Sequence, residues 1–279
     1  MFITVAPTGA ESSKQDNPNI PLQPEEIVAE AIRCERAGAA VIHIHGRDPE
    51  GNSTLDPVVL NEIVAGVNQH TDLVVQLSTG GSVHDSLASR LRILELKPES
   101  CSLTCGTVNF GFGVFNNPQG FIEELYEAAL SFQVMPEFEC FDLGHIATLH
   151  RLLDRFGPPI QGVVHCNLVM GVPGGMPGDI ATLTAAVSAL PRGSSWSATG
   201  IGRTAVTILL GATALGGNLR VGMEDVLRYS ATMAVTGNLQ LVERAVNLAR
   251  LAQCDVLDSR AVREKFGMTR NLVRTKNQI

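Results

Sequence analysis

The chain has 279 residues, 44% of them hydrophobic and only 18% charged, with a formal net charge of −7. A chain this long buries a sizeable core; its acidity argues against a nucleic-acid partner, and no apolar run reaches the ~18 residues that a membrane-spanning helix needs. So few charges leave apolar surface to be covered, which predicts a homo-oligomer.

The first segment, Met1-Phe-Ile-Thr-Val-Ala6, lacks a basic leader and reads as a strand over about Ile3–Ala6 rather than a signal peptide. Pro24-Glu-Glu-Ile27 then opens a helix, with proline and carboxylates in its first turn, and Gly38 closes it. The short β-branched run Ala40–His45 predicts a buried strand. Leu60, Ile63, Val64 and Val67 recur at helical spacing after Asp56-Pro57. Further strands are expected over about Leu73–Leu77, Cys101–Thr104, Val134–Phe138, Gly162–His165, Ser195–Thr199 and Asn218–Val221, with amphipathic helices between them.

Eight strands alternating with helices predict an α/β fold, a (β/α)8 TIM barrel, as a single domain over residues 1–279 with a C-terminal helical extension. A doubly wound open sheet is the rival, but no Gly-x-Gly-x-x-Gly follows the first strand. The basic tail from Arg263 to Lys276 reads as a solvated end or a packing arm. Six scattered cysteines without a Cys-x-x-Cys pair read as reduced thiols, which predicts a cytoplasmic protein.

Glycine and polar residues gather after the strands, where barrel enzymes build their sites. Examples are Thr8-Gly-Ala-Glu11, Ser78-Thr-Gly-Gly81, Gly171-Val-Pro-Gly-Gly-Met-Pro-Gly178 and Gly200-Ile-Gly-Arg203. At the end of the second expected strand, His43 and His45 stand two apart, so both imidazoles point to one side of the strand and can share a metal ion. Two core histidines satisfied by backbone carbonyls are the plainer reading. In a closed barrel the last strand neighbours the first and the first neighbours the second. Glu224 can then serve as third ligand to a zinc-like ion, with Asp225 as a nearby acid or base. The same two residues also suit a helix N-terminus. Glu137 and Glu139, two apart, are placed to face the lumen, where they either read a cationic substrate tail or form buried ion pairs. His165 is expected to close the sixth strand as a supporting donor, a substrate contact or a further ligand. Arg203 is a candidate for a coenzyme phosphate, or else a surface ion pair.

Thr8–Glu11, Pro24–Ile27, His43-Ile-His45, Ser78–Gly81, Gly171–Gly175, Gly200–Arg203 and Arg220-x-Gly-x-Glu-Asp225 occur in this order over residues 4–265. In that order the chain resembles the β-keto acid cleavage enzymes. The resemblance implies a zinc-bearing (β/α)8 barrel, a homotetramer, and conversion of a β-keto acid plus acetyl-CoA into acetoacetate and an acyl-CoA. It implies His43, His45 and Glu224 as ligands of Zn2+ or another divalent ion, with Asp225, Arg220 and Glu11 in catalytic positions and Ser78 against the substrate. Ser102 stands where a threonine is typical and Thr104 where an asparagine occurs, both on the substrate. Gly46 replaces a bulkier apolar residue.

In such a reaction Asp225 would take the proton between the two carbonyls, Arg220 would orient it or hold developing charge, and Glu11 would orient Arg220 or another polar group. Two rivals remain at this point: a metal-dependent amide or ester hydrolase on the same barrel, and a non-catalytic metal-binding barrel.

Overall fold

The computed structural model describes residues 1–270. Eight parallel strands, β1 (Ile3–Val5), β2 (Val41–Ile44), β3 (Val74–Leu77), β4 (Ser100–Thr104), β5 (Met135–Cys140), β6 (His165–Met170), β7 (Ser195–Gly200) and β8 (Asn218–Val221), close in sequence order into a barrel. Thr4 lies opposite both Arg220 of β8 and Val41 of β2, which closes the ring. The helices α1 (Pro24–Ala37), α2 (Pro57–His70), α3 (Leu87–Arg92), α4 (Gln119–Phe132), α5 (Leu143–Phe156), α6 (Ile180–Ala189), α7 (Ala205–Ala214) and α8 (Asn238–Leu251) alternate with the strands. A last helix, α9 (Ser259–Phe266), follows. Two short hairpins, Gly46–Arg47 with Ser53–Thr54 and Val108–Phe110 with Gly113–Phe115, rise from the carboxyl ends of β2 and β4. None of the helices among the described residues is long and apolar enough to cross a membrane.

Alternation along each strand divides two environments. Ile42, Ile44, Val75, Leu77, Leu103, Phe138 and Leu168 point outward into the layer packed by the helices. Thr4, His43, Gln76, Ser102, Glu137, Asn167 and Arg220, all buried, occupy the intervening positions and fill the lumen with polar groups. Barrel lumens are usually filled by branched aliphatic side chains. A polar lumen is tolerable only where its groups find partners.

The expected strands are all present, with one substantive displacement. The sixth spans His165–Met170, so His165 begins that strand instead of closing it. Gly162, at φ +74, ends a 3-10 turn just before it. Asn167 interrupts the apolar run, yet it faces the polar lumen and so does not break the strand. The fifth strand runs on to Cys140 and carries Glu139 with it.

At the amino end of the barrel α9 acts as a plug. Phe266 meets Phe2 edge to face at 5.9 Å, and Ser259 Oγ donates to the Ala40 carbonyl at 2.9 Å. The described part of the basic tail packs instead of dangling. Arg263 donates to both carboxylate oxygens of Glu99 and to the carbonyls of Asp72 and Leu73, while Arg270 donates to those of Asn68 and Thr71. The rest of that tail lies outside the described residues. All six cysteines are unpaired, five of them buried.

At the carboxyl end, the turn after β8 passes so close to β1 that a Cβ on Gly222 would stand 1.8 Å from the Ala6 carbonyl oxygen. Gly222→Ala should therefore lower the unfolding free energy by about 3 kcal/mol, as overpacked sites do. Urea denaturation measures it, and an unchanged midpoint would contradict this packing.

Candidate active site

The turn that carries Glu224 is held by backbone bonds to β1 and by the buried Asn238 at the start of α8. The Glu224 N–H donates to the Ala6 carbonyl at 3.2 Å and the Met223 N–H to Asn238 Oδ1 at 2.8 Å, while Asn238 Nδ2 donates to the Pro7 carbonyl at 3.1 Å. Gly9 lets the loop after β1 pass beneath the glutamate. Its φ is +68 and a Cβ there would lie 2.6 Å from Glu224 Cγ, so no other residue fits without displacing the carboxylate. Arg47 ties the same loop down by donating to the carbonyls of Gly9 and Ser12 at 3.0 and 2.7 Å.

These constraints bring the three expected ligands together. His43 Nε2 and His45 Nε2 are 3.3 Å apart, and Glu224 Oε1 lies 3.9 and 3.6 Å from them. Ligands about 2.0–2.1 Å from a tetrahedral ion stand about 3.3–3.4 Å apart, so the spacing is nearly that of a coordination sphere. His43 Nδ1 donates to Gln76 Oε1 at 2.5 Å, which commits the ring proton to that side and turns the Nε2 lone pair toward His45. Gln76 is set in turn by Ser100, whose Oγ accepts from Nε2 at 3.3 Å and donates to the Met135 carbonyl at 2.8 Å. Burial pulls the His43 imidazole down to about 4, so it is neutral near pH 7. A neutral ring directing a lone pair toward a second imidazole is the arrangement in which both nitrogens can ligate one cation. Glu224 Oε1, the oxygen near the imidazoles, also accepts from Arg220, while Oε2 is buried without a hydrogen-bond partner and so leaves the carboxylate a free oxygen for a ligand.

Charge makes the same demand. Arg220 donates through Nε and Nη2 to the two oxygens of Asp225 at 3.2 and 3.1 Å, through Nη1 to Glu139 Oε1 at 3.1 Å, and through Nη2 to Glu224 Oε1. Glu224 and Asp225 against one guanidinium leave excess negative charge, to which Glu139 adds when ionised, and a divalent cation would offset it. Burial alone would raise Glu224, but Arg220 and the two imidazoles hold its carboxyl well below the usual range. Burial pushes Asp225 up to about 6, with Arg220 pulling the other way and Glu224 adding to the rise. Burial likewise lifts Glu139 to about 7. The donor set therefore fits a divalent metal ion.

The other expected residues divide. Ser78, Glu11, Glu139, Arg220, Glu224 and Asp225 line one cavity of about 240 Å³ with the two histidines. Ser78 Oγ also accepts from the Gly80 N–H at 3.1 Å. Glu11 is exposed at the mouth and is not among the ion-pair partners of Arg220. Thr104 sits behind Glu139 and donates to its Oε2 at 3.1 Å; Ser102 is wholly buried and its Oγ accepts from the Thr79 N–H at 3.2 Å. Neither lines the cavity.

Glu137 is not brought to the cavity at all. It faces the lumen deeper in the barrel, where its Oε2 lies 3.0 Å from His165 Nε2, the buried-pair alternative. His165, at the amino end of β6, packs against Phe2 and Phe266 far from the metal ligands. Arg203 is exposed on the 3-10 turn Gly202–Thr204. It borders a groove that also carries Arg228 and shares Ser12, Ile201, Glu224 and Asp225 with the cavity.

Gln76 completes the site and is not among the expected residues, whereas Glu139, expected to face the lumen, does reach the cavity. The signal for Gln76 is a lone amide in the apolar strand Val74–Leu77, directly opposite His43 in register. Gln76→Leu should weaken divalent-metal binding about 10–100-fold, as loss of a group supporting a ligand does. Competition against a chromophoric chelator measures this, and unchanged affinity would contradict the role given to the amide.

The family model described as beta-keto acid cleavage enzyme matches residues 1–268. The 3-keto-5-aminohexanoate cleavage enzyme of Acetoanaerobium sticklandii is 35% identical over 272 residues, covering 97% of this chain and 99% of that protein. The 3-dehydrocarnitine:acetyl-CoA trimethylamine transferase of Rhizobium meliloti is 32% identical over 294 residues, covering 97% of each. Among solved structures, a ternary complex of ObcA with a C4-CoA adduct and oxalate superposes with a TM-score of 0.77 at 23% identity, over 90% of this chain and 68% of that one, a likeness of fold. With the ligand set, the barrel and these relatives in agreement, the chain belongs to the β-keto acid cleavage enzyme family.

Proposed function

We propose that the protein joins a β-keto acid to acetyl-CoA and cleaves the product to acetoacetate and a new acyl-CoA. The observation that carries this reading is the convergence of His43, His45 and Glu224 with the Asp225–Arg220 pair in one cavity. The relatives named above, and a 3-oxoadipate:acetyl-CoA acetyltransferase of Cupriavidus necator, support it. A divalent cation on the three ligands, zinc by its preference for two imidazoles and a carboxylate, would supply Lewis acidity to both oxygens of a 1,3-keto acid and acidify the methylene between them.

Asp225 takes the methylene proton. An ordinary aspartate is too weak a base for carbon, and burial, which lifts Asp225 to about 6, strengthens it while still leaving it ionised at neutral pH. Arg220 grips both of its oxygens and fixes the direction of its lone pairs. Glu139, anchored by Thr104, holds the guanidinium from the other side. The substrate carbanion attacks the acetyl-CoA carbonyl and expels the CoA thiolate. That thiolate then adds to the original ketone, the bond to the methylene carbon breaks, and the proton returned from Asp225 completes acetoacetate.

Ser78 donates to the acid's carboxylate or ketone, and Glu11 guards the mouth. Ser102 and Thr104 act behind the site, on the Thr79 N–H and on Glu139. The groove past Ile201 to Arg203 and Arg228 takes the phosphates of CoA. The barrel works as a single unit with α9 as its extension, assembled as a homotetramer. The exposed Val206 and Leu210 on α7 and Ile180 on α6 support burial against another copy. Unpaired thiols fit the cytoplasm.

Incubation with acetyl-CoA and a panel of 3-oxo acids, following acetoacetate, tests the reading. Product should require both substrates, and cleavage of esters or amides without acetyl-CoA would replace it with hydrolysis. Asp225→Asn should fold normally by circular dichroism and lower kcat about 10³-fold. Wild-type turnover in that variant would contradict the base.

A further inference from the structure

The cavity has two chemically different sides. The metal ligands and Asp225 belong to β2 and β8 and the turn after β8, flanking β1. Across the lumen, on the β3 to β6 side, stand Val83, Phe110, Phe115, Phe141, Val169 and Val172, which form one contiguous apolar cluster. Phe110 meets Phe115 at 6.5 Å and Phe141 at 6.3 Å, both edge to face, so the three rings brace one another as a fixed wall.

We infer that the acyl group of the β-keto acid turned over by this enzyme is apolar and uncharged, and that this wall selects it. The inference rests on the reaction proposed above. No charged side chain lies within the wall among the described residues. Of the charged groups lining the cavity, Arg220, Glu139, Glu224 and Asp225 are tied to one another, and Glu11 stands exposed at the mouth. Arg90 lies behind the wall with its guanidinium 4.6 Å from the Phe115 ring centre. Three of its five N–H donors go to the Thr79 carbonyl at 2.7 Å, the Asn116 carbonyl at 2.8 Å and Asn117 Oδ1 at 2.5 Å, and the side chain is buried and does not line the cavity, so it is not placed to meet a substrate carboxylate. Glu137, expected from the sequence as a reader of a cationic tail, is held by His165 deep in the lumen, and the one carboxylate of the cavity outside the Arg220 cluster among the described residues, Glu11, lies at the mouth, away from the wall.

A tail lying on this wall leaves water. An ammonium or carboxylate there loses its hydration and gains no partner, whereas each added methylene gains about fourfold in affinity. The groove runs along the β7 and β8 side and meets the wall only at Ile201, so the coenzyme leaves the three rings to the substrate.

The test is kcat/KM of the metal-loaded wild-type enzyme, with acetyl-CoA, for 3-oxohexanoate, 3-oxooctanoate, 6-amino-3-oxohexanoate and 3-oxoadipate. The two neutral acids should exceed the amino acid and the diacid at least about 100-fold. 3-Oxooctanoate should exceed 3-oxohexanoate. Phe110→Ala, at a half-buried site, should lower the ratio of the 3-oxooctanoate value to the 3-oxohexanoate value about tenfold, a ratio that loss of folded protein does not change; an unchanged ratio would overturn the role of the wall. Charged acids turned over as well as neutral ones would overturn the selectivity while leaving the reaction standing; turnover of none would overturn both.

Discussion

Arg220 is buried at the carboxyl end of the last strand, with Asp225, Glu139 and Glu224 as its partners. A buried guanidinium left without carboxylates would be costly, so the turn after β8, the length of β5 and the path of the loop after β1 are all bound to satisfying it. Bidentate contact fixes Asp225 in orientation as well as in place. The same cluster carries excess negative charge, and Glu224 Oε1 lies 3.9 and 3.6 Å from the two imidazole nitrogens. Metal binding and base orientation are thus two consequences of one electrostatic arrangement.

The polar lumen extends this logic downward. Thr4, Gln76, Ser102, Glu137 and Asn167 occupy positions that in most barrels hold aliphatic side chains. Some have clear tasks: Gln76 sets the His43 ring, and Ser100 sets Gln76. The Glu137–His165 pair, capped by Phe2 and Phe266, separates that polar column from the apolar plug of α9. Fold stability accordingly comes from the outer layer between strands and helices, while the interior is given over to holding charges in place.

Much of this is legible in the residues themselves. The barrel follows from the alternation of β-branched runs with capped helices. The ligand set follows from the His-x-His pair together with the adjacency of first and last strands that closure imposes. What the chain hides is depth. His165 and Glu137 look like site residues because they are polar and sit near strand ends, yet depth depends on strand length, and β6 begins where its apolar run was expected to stop. Gln76 escaped for the opposite reason, since one amide inside an apolar strand carries no periodic signal. The wall of Phe110, Phe115 and Phe141 is assembled from two loops, the hairpin after β4 and the turn after β5, and no local pattern links them.

The claim on which all else turns is that His43, His45 and Glu224 hold one divalent ion. X-ray absorption on the zinc-loaded protein, with His45→Ala as control, addresses it most directly. The account predicts one zinc per chain with two imidazole nitrogens and a carboxylate oxygen near 2.0–2.1 Å, and loss of that ion in the variant. Zinc bound through sulfur, or retained unchanged in His45→Ala, would contradict it.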